Sequence, residues 1–525
     1  MGSSYSNVVE EIQHESNEEA TGVDQRPLLE KGNQKGLYLE SVAGDLTCGS
    51  EDEVICILKD DMMLIMRIDG HILHHVILAD ITSVFVRRCN RERQVSLDGA
   101  DSELGGEEEF GDDEQVELVI VSFPLVQETR SCCCTLLCCC CCSPQYVREK
   151  REDIVLTSER PELVHHWEYA LTSAVSGKGQ RDLCISSAKK FFVVICPASG
   201  SGNSVKTYER MVRPIFEASR IEATVVCTTK PKDAIRQILR ISLKDFDGIV
   251  VVGGDGMVFE AIQGLANHPE SQGYELRMPI GIIPCGSGNG MVTSLAHVSQ
   301  SISDAPSSAI AIARGRVEVV DVWHVSTMKK DGSYGAECFA CLSFSWAIIA
   351  DIDIESEKCR CFGGARFTMG SLVRVACLRQ YEGRILYLPA SADSEDVVSV
   401  TETAPATWKE VSGDFTLLWA MNVTHGSSDC FVAPNAKLNN AAIELVLVQG
   451  AGRIDMTKGL LGLEHGNHVD LPSFETLSVK AFRLESYTPG DNIPGRLVVD
   501  GELLQPAERV QVDASFGSAD FFSYH

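Results

Sequence analysis

The chain has 525 residues, 44% hydrophobic and 23% charged, which suits a globular protein of three or four domains and excludes a collagenous, coiled-coil or mostly disordered one. Its net charge of −28 is concentrated at the front, where residues 1–130 hold 28 acids against 10 bases, and so acidic a surface excludes general nucleic-acid binding. No run reaches the ~20 apolar residues that cross a bilayer, no N-terminal stretch resembles a signal peptide, and 21 cysteines in so long a chain read as free thiols of a reducing, intracellular compartment.

Residues 1–35 are polar and aperiodic and are predicted to be a disordered tail. The tail opens Met-Gly-Ser-Ser-Tyr-Ser, which fits N-myristoylation of Gly2 with Ser6. Cys132–Cys134 and Cys138–Cys142 could carry the palmitoyl chain that a lone myristoyl group needs for firm anchoring, or form a low-complexity loop of exposed thiols. The expected location is the cytoplasm, with reversible membrane association.

Residues 36–176 read as a β domain. Val54–Leu58, Met62–Ile68, Ile72–Leu78, Ile81–Val86, Val116–Phe123 and Asp153–Thr157 are short, β-branched runs between charged turns. An insert over Asp98–Glu117 has ten acids in 20 residues and reads as solvated loop. A helix follows, with Ser158 as its cap, Pro161 in its first turn, and Leu163, Trp167, Ala170 and Leu171 on one face. Strands closed by one amphipathic helix resemble a pleckstrin-homology barrel, here too acidic for strong phosphoinositide binding; a scaffold or a surface for protein partners is the alternative.

After a polar linker, residues 188–316 alternate strand and helix. Apolar strands over Phe191–Ile195, Ala223–Cys227, Gly248–Val252 and Ile280–Pro284 alternate with helices from Val205, over Pro231–Ser242 and over Met257–Ala266, which predicts a doubly wound parallel sheet. Residues 317–525 are strand-rich, with runs at Val317–Val325, Cys338–Leu342, Arg384–Leu388, Phe415–Asn422, Ile443–Val448 and Leu477–Leu484, and predict a second, antiparallel, sandwich-like β domain. Ala350–Leu378 reads as loop and helix, and a cleft near Asp255 would separate the two domains.

Three glycine-rich loops, at Ser199–Gly202, Gly253–Gly256 and Gly286–Gly290, each follow a parallel strand, where backbone N–H groups and helix N-termini can approach phosphate. Asp255 is the informative residue, since a carboxylate beside polyphosphate is unfavourable unless Mg²⁺ or a proton transfer uses it. Gly-Gly-Asp-Gly alone would equally suit a surface turn; its coupling to the loop at Gly286 favours phosphate. His74-His75 and His165-His166 lack partners at metal-ligand spacing, no Cys-x-x-Cys suggests zinc, and no Mg²⁺ ligand is readable.

This constellation resembles the diacylglycerol-kinase catalytic superfamily of lipid kinases. Ser343-Phe-Ser-Trp, Ala350-Asp-Ile-Asp-Ile-Glu-Ser-Glu-Lys-Cys-Arg, Gly364-Ala-Arg-Phe-Thr-Met-Gly, Tyr381-Glu-Gly-Arg and Val498-Val-Asp-Gly-Glu narrow it to the sphingosine (long-chain base) kinases. The resemblance implies an ATP- and Mg²⁺-dependent kinase that phosphorylates the primary hydroxyl of a long-chain base. It makes Asp255 the catalytic base. It assigns Ser199, Gly200, Ser201, Gly253, Gly254, Gly256, Gly286, Ser287 and Gly288 to nucleotide loops and Thr229 to the adenosine. Arg360 and Arg366 fall to the phosphates, and Asp500, Gly501 and Glu502 to a late nucleotide motif. Asp353, with Ser343 nearby, would recognise the substrate's head group. A carboxylate can pair with the amine of a long-chain base, and ceramide and diacylglycerol offer no such cation. Cys196-Pro stands where the family has Asn-Pro, and Ser201 and Asn203 where it is often basic, which implies weaker ATP binding.

Candidates for the acyl-tail pocket are Phe339, Phe344, Ile348, Leu372 and Leu378, a set an ordinary core would also contain; Trp346 reads as core or pocket wall. The rival readings are a ceramide or diacylglycerol kinase, a catalytically weak lipid-binding adaptor, and an NAD kinase, which shares the Gly-Gly-Asp-Gly loop but leaves the Asp353 region unexplained.

Overall fold

In the computed structural model the chain forms two units, residues 1–183 and 184–525. Described in the first are residues 38–40, 46–48, 52–59, 62–67, 72–89, 115–128, 145–148, 151–158 and 161–176, and in the second 189–524 apart from 272–274, 357–364, 394–396 and 487–494. Gly2, the tract Cys132–Cys142 and the acidic residues 98–114 lie outside them.

The first unit is an antiparallel sheet of eight strands, Asp52–Lys59, Met62–Arg67, Ile81–Cys89, Gln115–Ser122 and Glu152–Ser158 among them. The helix Pro161–Ser176 buries Val164, Trp167, Leu171 and Val175 against Ile65, Leu118, Ile120 and Leu156. Two expectations are corrected. Ser158 is the last residue of its strand, three positions before the helix begins, and Gln115–Glu117 belong to a strand instead of the solvated insert. In the latter case Glu117 pairs across the sheet with Arg87 and Thr157, and the apolar run behind it carries it into the ladder.

The second unit opens with β1 (Lys190–Ile195), β2 (Glu222–Cys227), α1 (Asp233–Ile238), β3 (Gly248–Gly253), α2 (Asp255–Ala266), β4 (Glu275–Pro284), α3 (Gly290–Val298) and α4 (Ala305–Arg314). The strands pair in parallel in the order β2-β1-β3-β4. Strand β3 is buried along its whole length, as its unbroken apolar run requires once both faces are covered. Helix α4, unmarked in the sequence reading, has ordinary start and stop signals. Asp304 Oδ1 accepts the Ser307 N–H at 2.8 Å, and Gly315 closes the helix at φ +79°.

Then follow β5 (Val317–Met328), β6 (Tyr334–Ala340), β7 (Ser343–Ala347), α5 (Ile348–Ser356), α6 (Ala365–Ala376), β8 (Tyr381–Pro389), β9 (Lys409–Met421), β10 (His425–Ser427), β11 (Cys430–Phe431), β12 (Ile443–Gln449), α7 (Arg453–Gly462), β13 (Glu475–Ser486), β14 (Leu497–Val499), β15 (Glu502–Leu503) and β16 (Arg509–Phe522). The antiparallel half continues the parallel sheet without a break. Strand β16 runs parallel to β4 over Ser518–Phe521 and antiparallel to β13 over Arg509–Asp513, while β5 pairs with it from end to end. The result is one 14-stranded sheet in the order β2-β1-β3-β4-β16-β13-β8-β9-β7-β14-β15, from which β5, β6 and β12 branch. One core lies around α2, α3 and β3 (Val251, Val258, Ile262, Leu295), and a second around Trp323, Phe344, Trp346 and Phe482. A third lies under α5, where Ile348, Ile349 and Ile352 meet Trp419, Met456 and Phe474.

Candidate active site

The three glycine loops converge at the C-terminal edge of the parallel strands. After β1 the chain turns through Gly200 at φ +52°, and a β-carbon there would collide with the Cys285 carbonyl oxygen. One on Gly254 would come within 2.9 Å of the Gly286 α-carbon. The loops therefore lie backbone against backbone, which only glycine allows. Asn289, absent from the sequence-based list, closes the third loop from a left-handed conformation at φ +60°. Its Oδ1 accepts the Gly286 N–H and its Nδ2 donates to the Gly286 carbonyl, both at 3.0 Å.

Asp255 is the first residue of α2, and its carboxylate reaches across to the N-terminus of α3. Oδ2 accepts the Gly290 N–H at 3.0 Å and Oδ1 the Met291 N–H at 3.1 Å. Burial raises its pKa above the ordinary carboxylate value, and the backbone donors oppose that shift. The residue is half-buried, and Gly288 packs so close that a β-carbon there would be 3.0 Å from Oδ2.

Asp500 follows β14 at φ +48° and is buried. Its carboxylate accepts the N–H groups of Cys341, Leu342 and Ser343 at 2.8–3.0 Å, and the Ser343 carbonyl accepts the Asp500 N–H at 2.9 Å. Burial pushes its pKa up to about 6, with the charge of Asp255 adding to the shift. Gly501 and Glu502 lie exposed at the same turn, Glu502 Oε1 within 3.3 Å of where a β-carbon on Gly256 would sit. Asp500 thus ties the Cys341–Ser343 turn to the Gly501–Glu502 turn.

Asp353 lies on α5, its charge felt at Cys430 of the β10–β11 hairpin. Burial, Asp429 and Asp353 together hold the Cys430 thiol above its ordinary pKa. The hairpin in turn sits on the third loop. Ser428 N–H donates to the Gly288 carbonyl at 2.8 Å, and His425 N–H donates to Ser294 Oγ of α3 at 2.9 Å. Nothing in the sequence marked this hairpin, because its strands are two and three residues long. Gln263 was also missed. It fastens α2 to β6 through both amide atoms, donating to the Phe339 carbonyl at 2.6 Å and accepting its N–H at 3.1 Å.

The remaining expected residues are less concentrated. Thr229 lies two residues past the end of β2, the strand beside β1, and donates from N–H and Oγ1 to Asp233 Oδ2 at 2.9 and 3.0 Å. Ser201 is exposed and accepts from Asn203 Nδ2 at 3.0 Å. Ser199 and Ser287 sit within their loops. Arg360 lies outside the described residues, and Arg366 occupies the first turn of α6. The five tail-pocket candidates do not form one wall. Phe339 and Phe344 belong to different cores, Ile348 and Leu378 meet in the cluster under α5, and Leu372 is 68% exposed on the outer face of α6. Among the described residues no three His, Cys, Asp or Glu side chains are grouped as a metal cage.

Because Gly286 has no room for a side chain, Gly286→Ala should part the second and third loops and lower kcat/KM for the nucleotide about 10²-fold, the scale set by a 1 Å misplacement. Steady-state kinetics alongside a melting curve would check this, and an unchanged nucleotide KM would refute the close-packing argument.

Comparison with known proteins agrees with this geometry. Residues 190–325 match the family model described as diacylglycerol kinase catalytic domain. Sphingosine kinase 1 of Arabidopsis thaliana is 33% identical over 351 residues, 62% of this chain and 70% of that relative. Sphingosine kinase 2 of the same plant is 31% identical over 369 residues, 65% and 73% of the two chains. Sphingosine kinase 1 of Homo sapiens is 29% identical over 340 residues, 60% and 86%.

Proposed function

The chain belongs to the sphingosine kinase family and is a lipid kinase acting on sphingoid bases, and on that premise we propose how its residues divide the work. The α/β half, residues 188–316, binds ATP, and residues 317–525 bind the lipid. Backbone N–H groups of the loops at Ser199–Ser201, Gly253–Gly256 and Gly286–Gly288 cradle the phosphates, with Thr229 toward the adenosine and Arg360 and Arg366 on the phosphate charge. Asp255 takes the proton from the primary hydroxyl as that oxygen attacks the γ-phosphorus. A raised pKa suits a base that must bind a proton transiently, and anchoring to α3 keeps it from swinging onto the phosphates. Asp353 pairs with the substrate's ammonium group, and the tail runs into the apolar cluster beneath α5.

The residues fit a Mg²⁺ ion that arrives with the nucleotide. Both site carboxylates, Asp255 and Asp500, already accept backbone N–H groups, so the phosphates would supply most of its ligands. When bound, the ion offsets phosphate charge. The Gly501–Glu502 turn closes the nucleotide side, with Asp500 as its anchor.

Membrane-surface association is part of the same reading, since the substrate is an amphiphile. Leu372 and Val373 on α6 and Ile454 and Leu461 on α7 are exposed apolar residues that support it, and among the described residues no helix is long and apolar enough to span a bilayer. The helix-closed antiparallel sheet of the first unit supports a pleckstrin-homology-like module there. Acylation at Gly2 and in the cysteine tract would supply the anchor.

The observation that carries the proposal is Asp255 held at the meeting point of three glycine loops, with the β10–β11 hairpin packed on the third of them. The test is transfer of labelled γ-phosphate from ATP to sphingosine, ceramide and diacylglycerol in parallel. Label is expected on sphingosine alone. Label on ceramide at a comparable rate would overturn the role of Asp353, and none on any lipid from folded protein would favour a lipid-binding adaptor.

A further inference from the structure

Helix α5 carries charge on two faces. Asp351 and Glu355 are four residues apart and share one face, while Asp353, two residues from each, points some 200° away. The Asp351–Glu355 face is clamped. The buried Asp351 carboxylate accepts the Tyr381 hydroxyl at 2.5 Å and Arg496 Nη1 at 3.1 Å, with Arg374 at 3.6 Å and Arg379 at 3.7 Å. Glu355 takes Arg374 Nη2 at 2.9 Å and Arg496 Nη1 at 3.0 Å. Two arginines thus each bridge both carboxylates. One comes from α6 and the other from the residue immediately before β14.

A buried ionic network of this kind is weak evidence for stability, because desolvation consumes much of the Coulombic gain; fixing a register is its best-attested use. Here the register is the rotation of a helix only nine residues long. A side-chain end ~5–6 Å from the helix axis moves ~3 Å for a 30° turn, enough to lose an ammonium partner. The clamp is also one end of a closed frame. Strand β7 leads directly into α5 and pairs with β14 through Phe344–Val499, Ser345–Val498 and Trp346–Leu497. Arg496 joins this strand pair to α5 at one end, and Asp500 joins it to Ser343 at the other. The head-group helix and the turn beside the Asp255 loop are therefore held on one rigid ladder.

We propose that Asp351 and Glu355, gripped by Arg374 and Arg496, are positioning residues that fix the rotation of α5 and so aim Asp353 at the amine of the sphingoid base. This rests on the reading of Asp353 given above. The three glycine loops belong to other elements than α5, so a loosened clamp should weaken use of the lipid far more than use of ATP.

The test is steady-state kinetics of the full chain with sphingosine and ATP varied in turn, for Asp351→Asn, Glu355→Gln, Arg496→Met and Arg496→Lys, with Asp353→Asn alongside and a melting curve for each. Loss of the clamp should raise the sphingosine KM about 10- to 10²-fold while the ATP KM stays within about two-fold, and Arg496→Lys should recover part of it. Glu355 and Arg496 are partly exposed, so their variants keep the test open if Asp351→Asn fails to fold. Equal rises in both KM values, or a fall in kcat alone, would reduce the clamp to a structural element and overturn the proposal. So would clamp variants with unchanged sphingosine KM beside a damaged Asp353→Asn. A fully active Asp353→Asn would instead overturn the head-group reading, a result separable from the first two.

Discussion

Asp255→Asn is expected to lower kcat about 10²- to 10⁴-fold, the range spanned by positioned general bases, while the KM for ATP changes by no more than a few-fold. The amide matches the carboxylate in shape but takes up no proton at neutral pH. It also replaces one acceptor with a donor opposite either the Gly290 or the Met291 N–H, so a stability loss of about 1–3 kcal/mol should accompany the kinetic one. Single-turnover phosphoryl transfer, measured below the variant's melting temperature, separates the two effects. A variant that keeps more than a tenth of wild-type turnover would remove Asp255 from the chemistry.

In the wild type the same carboxylate gives a pH signature. It must be ionised to act, and burial has raised its pKa, so the acid limb of kcat/KM should lie above the ordinary carboxylate range. Stability should run the other way. Asp500 shifts from the ordinary 3.8 to about 6 on folding, so the native state holds that proton more tightly than the unfolded chain does. The stabilisation is complete below about 4 and disappears as pH rises through about 6. Between those values the contribution of Asp500 to the melting temperature should fall. Wild type and Asp500→Asn melted in parallel across that window would show it.

Asp353→Asn is expected to reduce kcat/KM for sphingosine by the equivalent of about 2–5 kcal/mol, the usual cost of truncating one partner of a charged hydrogen-bonded pair. Asp353 keeps part of its surface in solvent, which places the effect toward the lower figure, roughly 30-fold. The discriminating measurement is a substrate series in which the amine is free, methylated to a permanent cation, or acylated. The variant should lose the advantage of the cationic members. If the ratio between free and acylated bases stays at its wild-type value, some other group reads the head.

The residues that do chemistry were easier to read than the contacts that hold them. The three loops around Asp255 were legible because each is local, glycine after an apolar strand, whereas charge spacing alone made the Asp353 segment a solvated helix and only the family resemblance singled out Asp353. What escaped depends on segments far apart in the chain. Gly200 must be glycine because of Cys285, and Gly254 because of Gly286. Gln263 matters through Phe339, and Asp500 through Cys341–Ser343. Late nucleotide motifs invite a direct role for Asp500, yet its oxygens are taken by three backbone donors. The change of character at Val317 was real as a switch from helix-rich to strand-rich sequence. It did not reveal β16, whose Gly517 and Ser518 are held in the sheet by pairing with β5, and Ser518 by pairing with β4 as well.

Strand β16 also sets a timetable. The parallel sheet that carries the glycine loops is finished on its β4 side by residues 509–522, synthesised more than 200 residues after β4 ends at Pro284. At ~5–20 residues per second, a ribosome needs roughly 10–45 s to cover that distance. Through this interval β4 offers an unpaired edge to any strand that passes, the situation in which nascent chains aggregate or recruit chaperones. The parallel sheet beneath the glycine loops is thus left open on one side until almost the whole chain has been made.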